Sequence, residues 1–246
     1  MALPWKIIDS VLTDEGVLEL RQRGEGDFLI TVGGLVLMNS LAHRSEVALG
    51  QLACSHLQSA KSPRVLVGGL GMGYTLRAVL DSLPASGRIV VAELNPVVVR
   101  WCRGSLASLT DSAVDDPRLT VEITDVAELI RKHISSGTGW SFDTIVLDLY
   151  TGPHAYTDKL NDPLYGSNAI ELTMAALTPG GVFAVWGENY DAGFDKRLQA
   201  AGFTVTHERP GRGGLRHVVY IARKHETRPG KQNVTTMRTR RLQDHA

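Results

Sequence analysis

The chain has 246 residues, 43% hydrophobic and 21% charged, with 26 basic side chains balanced by 26 acidic ones. That length holds one large domain, or one with a small appendage, and can bury a sizeable core. A zero net charge excludes a general electrostatic drive toward nucleic acid or an anionic membrane, and two cysteines exclude a disulfide framework. No apolar run approaches the roughly 18 residues that span a bilayer, and the first residues lack the pattern of an export signal. The expectation is a cytoplasmic protein that binds neither nucleic acid nor membrane.

In chain order, Val17 to Gln22, Phe28 to Val32 and Leu35 to Met38 are β-rich runs separated by Gly24, Gly26, Gly33 and Gly34. Such glycine-punctuated alternation predicts a small antiparallel hairpin unit over residues 1–44. Ser45 to Leu57 has the apolar spacing of a helix with one buried stripe. Beyond Pro63, strands at Arg64 to Val67, Arg88 to Glu93, Leu119 to Ile123, Thr144 to Leu147 and Val182 to Trp186 alternate with helices. The helices are near Thr75 to Ser82, Pro96 to Leu106, Val126 to His133 and Asn168 to Leu177. Val/Ile/Leu-rich strands alternating with amphipathic helices predict a parallel sheet covered on both faces. The domain then closes, over residues 45–223, with a hairpin of Val205 to Glu208 and His217 to Ala222. An α/β, Rossmann-like, mostly parallel seven-stranded sheet with a C-terminal antiparallel hairpin is by analogy the methyltransferase type of fold. Residues 224–246 are polar and basic without apolar periodicity, which predicts a disordered tail.

The segment Val65-Leu-Val-Gly-Gly-Leu-Gly-Met-Gly-Tyr-Thr-Leu-Arg77 carries the most chemical information. Glycines at 69, 71 and 73, between a buried strand and a helix, let the backbone approach a ligand at the positive helix end. Twenty residues past Gly73 the second strand ends at Glu93, whose carboxylate can accept both ribose hydroxyls of a nucleoside, with Leu94 beside it. The spacing is GxGxG rather than the GxGxxG of dinucleotide sites, which favours an adenosyl sulfonium ligand over NAD. Asp125 can take the adenine amino group with Val126 against the ring. It can equally be a plain helix N-cap, with Glu128 three residues on as in a capping box. No metal is expected, because the histidines are scattered, and Cys54 and Cys102 read as small packing residues.

These landmarks resemble, in order, those of the spermidine synthase family, the polyamine aminopropyltransferases. Gly33-Gly34 is similar to the family's LDG turn, the glycine loop leads to Thr75-Leu76-Arg77, and Glu93-Leu94-Asn95-Pro96 is similar to its ELDP. Asp125-Val126, Phe142 to Asp148, Pro163-Leu164-Tyr165 and Leu177-Thr178-Pro179-Gly180-Gly181 continue the match. The resemblance implies a donor of the adenosylmethionine type, intact or decarboxylated, and an amine acceptor. It further implies contacts from Gly69, Gly71, Glu93 and Asp125, with Asp148 at the reacting centre, and a homodimer formed through the N-terminal unit.

Departures from the family pattern bear on the acceptor. The loop Asp148-Leu149-Tyr150-Thr151 has Thr151 where a second acid is expected. At the first helix, which opens Glu46-Val47-Ala48-Leu49-Gly50-Gln51, Leu49 and Gly50 replace an aromatic and an imidazole. The glycine loop has Leu70 or Met72 where an acid is expected. A diammonium substrate needs a carboxylate at each end, so putrescine is a poor candidate. Asp148, at the carboxyl end of a buried strand, can be the general base or a loop cap. Tyr150, Thr151, Asp158 and Glu188, with Asp162, can contact the acceptor or merely structure the loop. Three functions remain open: aminopropyl transfer, methyl transfer, or nucleoside binding without turnover.

Overall fold

The computed structural model describes residues 3–137, 140–154, 160–210 and 217–226. Four strands, β1 (Lys6–Thr13), β2 (Gly16–Arg23), β3 (Asp27–Val32) and β4 (Leu35–Asn39), form an antiparallel sheet in chain order. The expected hairpin unit is thus a four-stranded meander. Its first strand escaped the sequence pattern because a register shift between Ile7 and Asp9 breaks the alternation. Along that strand Ile7, Ile8 and Leu12 are exposed, so no apolar face marks it.

Helix α1 (Arg44–Cys54) leads into β5 (Arg64–Gly68), α2 (Tyr74–Ser82), β6 (Arg88–Glu93), α3 (Pro96–Arg103), β7 (Leu119–Ile123), α4 (Val126–Ser135) and β8 (Phe142–Leu147). The chain continues through α5 (Ser167–Ala176), β9 (Leu177–Gly187), α6 (Ala192–Ala200), β10 (Phe203–Glu208) and β11 (Val218–Lys224). The large sheet has the order β10-β11-β9-β8-β5-β6-β7, with β11 antiparallel to both neighbours. This is the expected α/β fold, with seven strands and a closing antiparallel hairpin.

Several bounds differ from expectation. The first helix stops at Cys54, and α3 gives way after Arg103 to two short 3-10 turns, Ala107–Thr110 and Ala113–Asp115. Strand β9 begins at Leu177, taking in the Thr-Pro-Gly-Gly stretch expected as a loop. Helix α6 was not foreseen because only Phe194 and Leu198, one turn apart, are buried on it, too few for a periodic stripe. Residues 227–246, most of the expected tail, lie outside the described residues. Lys224, where that tail was expected to begin, is instead the last residue of β11, and its ammonium donates to the carbonyls of Met174 and Leu177.

Strand alternation sorts the core onto two faces. Val65, Val67, Val146, Val182 and Ala184 join one apolar cluster with α1, α2, α3 and the N-terminal sheet residues Leu18, Leu20, Phe28, Ile30 and Val32. Leu66, Ile145, Leu147, Phe183 and Val185 join another with α4, α5 and α6. The N-terminal sheet therefore joins the apolar cluster on one face of the large sheet, and its β4 end reaches the glycine loop, where Tyr74 donates to the carbonyl of Ser40. No helix among the described residues is long and apolar enough to cross a membrane.

Candidate active site

The chain runs β5, β6, β7 outward to one edge and then returns to the other side of β5 as β8. Open α/β sheets bind ligands at such a reversal, beyond the carboxyl ends of the strands. A cavity of about 370 Å³ lies there. Its floor is the glycine loop and the ends of β6, β7 and β8, and its roof is the N-terminal sheet, through Leu18, Ile30, Val32, Leu37 and Met38.

Backbone bonds clamp the floor. Gly69 N donates to Ala92 O at 2.9 Å and Asp148 N donates to Gly68 O at 2.9 Å, so the first turn after β5 is fixed to β6 on one side and β8 on the other. Gly69 has φ +88°, and a Cβ there would meet the Asp148 carbonyl oxygen at 2.4 Å. Only glycine fits that approach. Gly71 also lines the cavity, under Met38, whose sulfur accepts from Met72 N at 3.3 Å. Gly73 differs. It is the N-cap of α2, faces Thr110, and is not among the lining residues.

Glu93, 7% exposed, ends β6. Its two oxygens accept from Leu70 N at 2.9 Å and Asn95 N at 2.8 Å, which sets the carboxylate and ties it to the glycine loop. Burial raises its pKa above the ordinary value despite these bonds. Leu94, 59% exposed, Asp125 and Val126 line the same end of the cavity. Asp125 caps α4, accepting from Glu128 N at 3.0 Å through one oxygen. A cap that uses one oxygen leaves the other for a ligand, so the two roles weighed for Asp125 are compatible.

Asp148 follows β8 and lines the cavity. Desolvation, then the negative charge of Glu46, push its carboxyl up to about 7, against the 2.6 Å bond from the Thr75 hydroxyl. The Thr75 oxygen is also 3.1 Å from the Glu46 carbonyl. A hydroxyl has one hydrogen. It goes to Asp148 when that group is ionised and to Glu46 O when Asp148 is protonated and donates, so both states of the carboxyl are accommodated. A carboxyl titrating near neutrality at a cavity floor is suited to general base work.

Of the acceptor-side residues, Tyr150, 54% exposed, and Thr151 line the cavity. Glu188 is exposed and outside the lining. Asp162 accepts from the backbone of Leu164 and Tyr165, which is a loop-structuring role. Asp158 lies outside the described residues. Two lining acids were missed by sequence reasoning: Glu15, in the turn between β1 and β2, and Glu46, buried on the first turn of α1. For Glu46 the sequence offered only its place in the first helical turn, which fits a helix-dipole carboxylate equally well. Both cysteines are buried, with thiols pushed up to about 12, and Cys102 donates to Gly71 O. Among the described residues no cluster of His, Cys, Asp and Glu could hold a metal ion.

The spermine/spermidine synthase domain model matches residues 48–192, more than half of the chain. The chain belongs to that family. It is 36% identical over 119 residues to polyamine aminopropyltransferase 1 of Hyperthermus butylicus, covering 48% of this chain and 39% of that protein. To the polyamine aminopropyltransferase of Mycobacterium tuberculosis it is 29% identical over 191 residues, covering 75% of this chain and 34% of the relative. The chain thus spans between a third and two fifths of the length of these two curated relatives. The spermidine synthase of Thermotoga maritima superposes with a TM-score of 0.67 at 21% identity, covering 92% of this chain and 75% of that one. A spermidine synthase solved in complex with the transition-state analogue AdoDATO superposes equally well, TM-score 0.67 at 20% identity, covering 92% and 76%. The fold is the methyltransferase-like fold of these enzymes.

Proposed function

We propose that this chain is a transferase that moves an aminopropyl group from decarboxylated adenosylmethionine to an amine acceptor. The observation that carries this reading is the charge of the cavity. Glu15, Glu46, Glu93, Asp125 and Asp148 line it, and its described lining contains no Lys, Arg or His. A cavity whose only charged lining residues are acids favours cations. A decarboxylated donor carries a sulfonium and an ammonium, and an amine acceptor arrives as a second ammonium. Intact adenosylmethionine adds a carboxylate that meets no cationic side chain there, which argues against methyl transfer. Binding without turnover is disfavoured by the Asp148 carboxyl, which is poised near 7 at the floor.

In this reading Glu93 takes the ribose hydroxyls, Gly69 and Gly71 admit the donor close to the backbone, and Asp125 with Val126 and Leu94 takes the base. Asp148 removes a proton from the acceptor ammonium, freeing its lone pair. The new N–C bond forms as the S–C bond breaks, and the S–C electron pair stays on sulfur. Alignment of the two partners supplies much of the acceleration. Thr151 gives the acceptor's far end no carboxylate, so simple putrescine is a poor acceptor. Cytoplasmic placement and a homodimer belong to the same proposal. The dimer would use the N-terminal sheet face that bears exposed Leu12, Val17 and Val36.

Calorimetry with the two donors tests the proposal, preceded by mass spectrometry of any ligand that co-purifies. Decarboxylated adenosylmethionine should bind at least tenfold more tightly than the intact form, because the carboxylate would be buried unpaired. Tighter binding of the intact form would instead favour methyl transfer.

A further inference from the structure

Glu46 has no part in the transfer scheme above, yet it is one of the most deliberately held side chains in the molecule. It is 8% exposed, on the first turn of α1, and it lines the cavity with Asp148. Its Oε2 accepts from the Ser45 hydroxyl at 2.7 Å, and Ser45 Oγ is 2.9 Å from His217 Nδ1. Because the single Ser45 hydrogen is committed to the carboxylate, His217 Nδ1 is the donor of the second bond. The His217 ring packs edge-on against Trp186, with centroids 4.8 Å apart, and Ser45 is 4% exposed. A partly buried relay from His217, just before β11, through Ser45 on α1 thus ends on one Glu46 carboxylate oxygen.

The groups that interact with the Glu46 carboxylate are Asp148 after β8, Tyr74 on α2 and, through Ser45, His217 just before β11, while the Thr75 hydroxyl meets the Glu46 backbone carbonyl. Burial first, and then the charge of Glu46, raise the Asp148 carboxyl and the Tyr74 phenol. Two carboxylates in a desolvated site repel unless they share a proton or a cation. The described lining contains no Lys, Arg or His. The missing positive charge must come with the ligand.

We propose that Glu46 is the second carboxylate of the amine site, bracketing the acceptor's reacting ammonium with Asp148, while Ser45 and His217 are positioning residues that hold it there. This rests on the amine-transfer reading and makes it specific. Asp148 takes the proton that leaves, whereas Glu46 accepts a second N–H and offsets the positive charge that remains on nitrogen as the N–C bond forms and sulfur becomes neutral. The pair fixes the reacting end of the acceptor and leaves its far end to the apolar roof.

The test is calorimetric binding of propylammonium to full-length protein first saturated with methylthioadenosine. Glu46→Gln should weaken propylammonium about tenfold or more, the worth of one charge-assisted hydrogen bond, with methylthioadenosine affinity unchanged. Glu46→Asp, which withdraws the charge by one methylene, should fall between and stands in should the Gln variant not fold. Ser45→Ala and His217→Ala should each weaken binding severalfold, and His217→Asn, whose amide nitrogen can replace Nδ1 as donor, should restore it. Equal propylammonium affinity in wild type and Glu46→Gln, or none in wild type that binds methylthioadenosine, overturns the assignment of Glu46. Failure of wild type to bind methylthioadenosine overturns the transferase reading itself, and that step is measured first.

Discussion

The Cα of Gly69 packs so closely on the backbone of Asp148 that a side chain at 69 would place its Cβ 2.4 Å from the Asp148 carbonyl oxygen. The glycine loop and the candidate base are therefore packed backbone to backbone, although Gly69 and Asp148 are 79 positions apart in the sequence. Gly69→Ala should move Asp148 as well as strain a backbone at φ +88°. The expected cost is about 1 to 3 kcal/mol in chemical denaturation, with donor binding lost in the fraction that remains folded. Normal stability and normal donor affinity would show that the loop yields freely.

Asp148→Asn keeps the shape of the side chain and removes its basicity. Single-turnover rate should fall about 10²- to 10⁴-fold, with donor affinity little changed. In wild type the rate should rise with pH through about 7, where the carboxyl ionises.

The same group makes a stability prediction of defined sign. Its folded-state value lies above the ordinary 3.8. The folded protein therefore holds the proton longer, and this group's stabilising contribution is full below the unfolded value and lost as pH rises toward 7. Asp148→Asn should accordingly melt higher than wild type at pH 8 and gain less at pH 5. A lower melting temperature at both pH values would mark Asp148 as structural.

Glu93→Ala should weaken adenosyl ligands by roughly 1.5 to 3 kcal/mol for each ribose hydrogen bond lost. Because Glu93 also receives the Leu70 and Asn95 amides, the variant should lose stability as well, read by thermal melting beside calorimetry. Unchanged ligand affinity would remove Glu93 from the site.

Lys224 offers a test far from the cavity. Its ammonium donates to the carbonyls of Met174 and Leu177 at the end of α5, where positive charge also suits the helix dipole. Lys224→Met should cost about 1 to 2 kcal/mol by denaturation. A chain ending at residue 223 should be less stable than one ending at residue 226 by at least that amount.

The sequence alone determined the parallel sheet, the glycine loop, and the acids that end its strands, because each is written in consecutive residues. A buried strand of Val65 to Val67 running into glycines, and Glu93 at the end of the next strand, need no tertiary knowledge. Elements without a local signature did not show. The strand Lys6–Thr13 carries a bulge, and the helix Ala192–Ala200 buries only two side chains. Gly73, grouped by spacing with the cavity-lining Gly69 and Gly71, caps α2 and faces Thr110. Tertiary structure alone decided the Glu46 side of the cavity. Ser45 and His217 are 172 positions apart, and Glu46 meets Asp148 only because α1 packs on α2 above the end of β8. Hydrogen bonds act over about 3 Å of space whatever the separation in sequence, so a carboxylate held by such contacts has no pattern that a single chain can display.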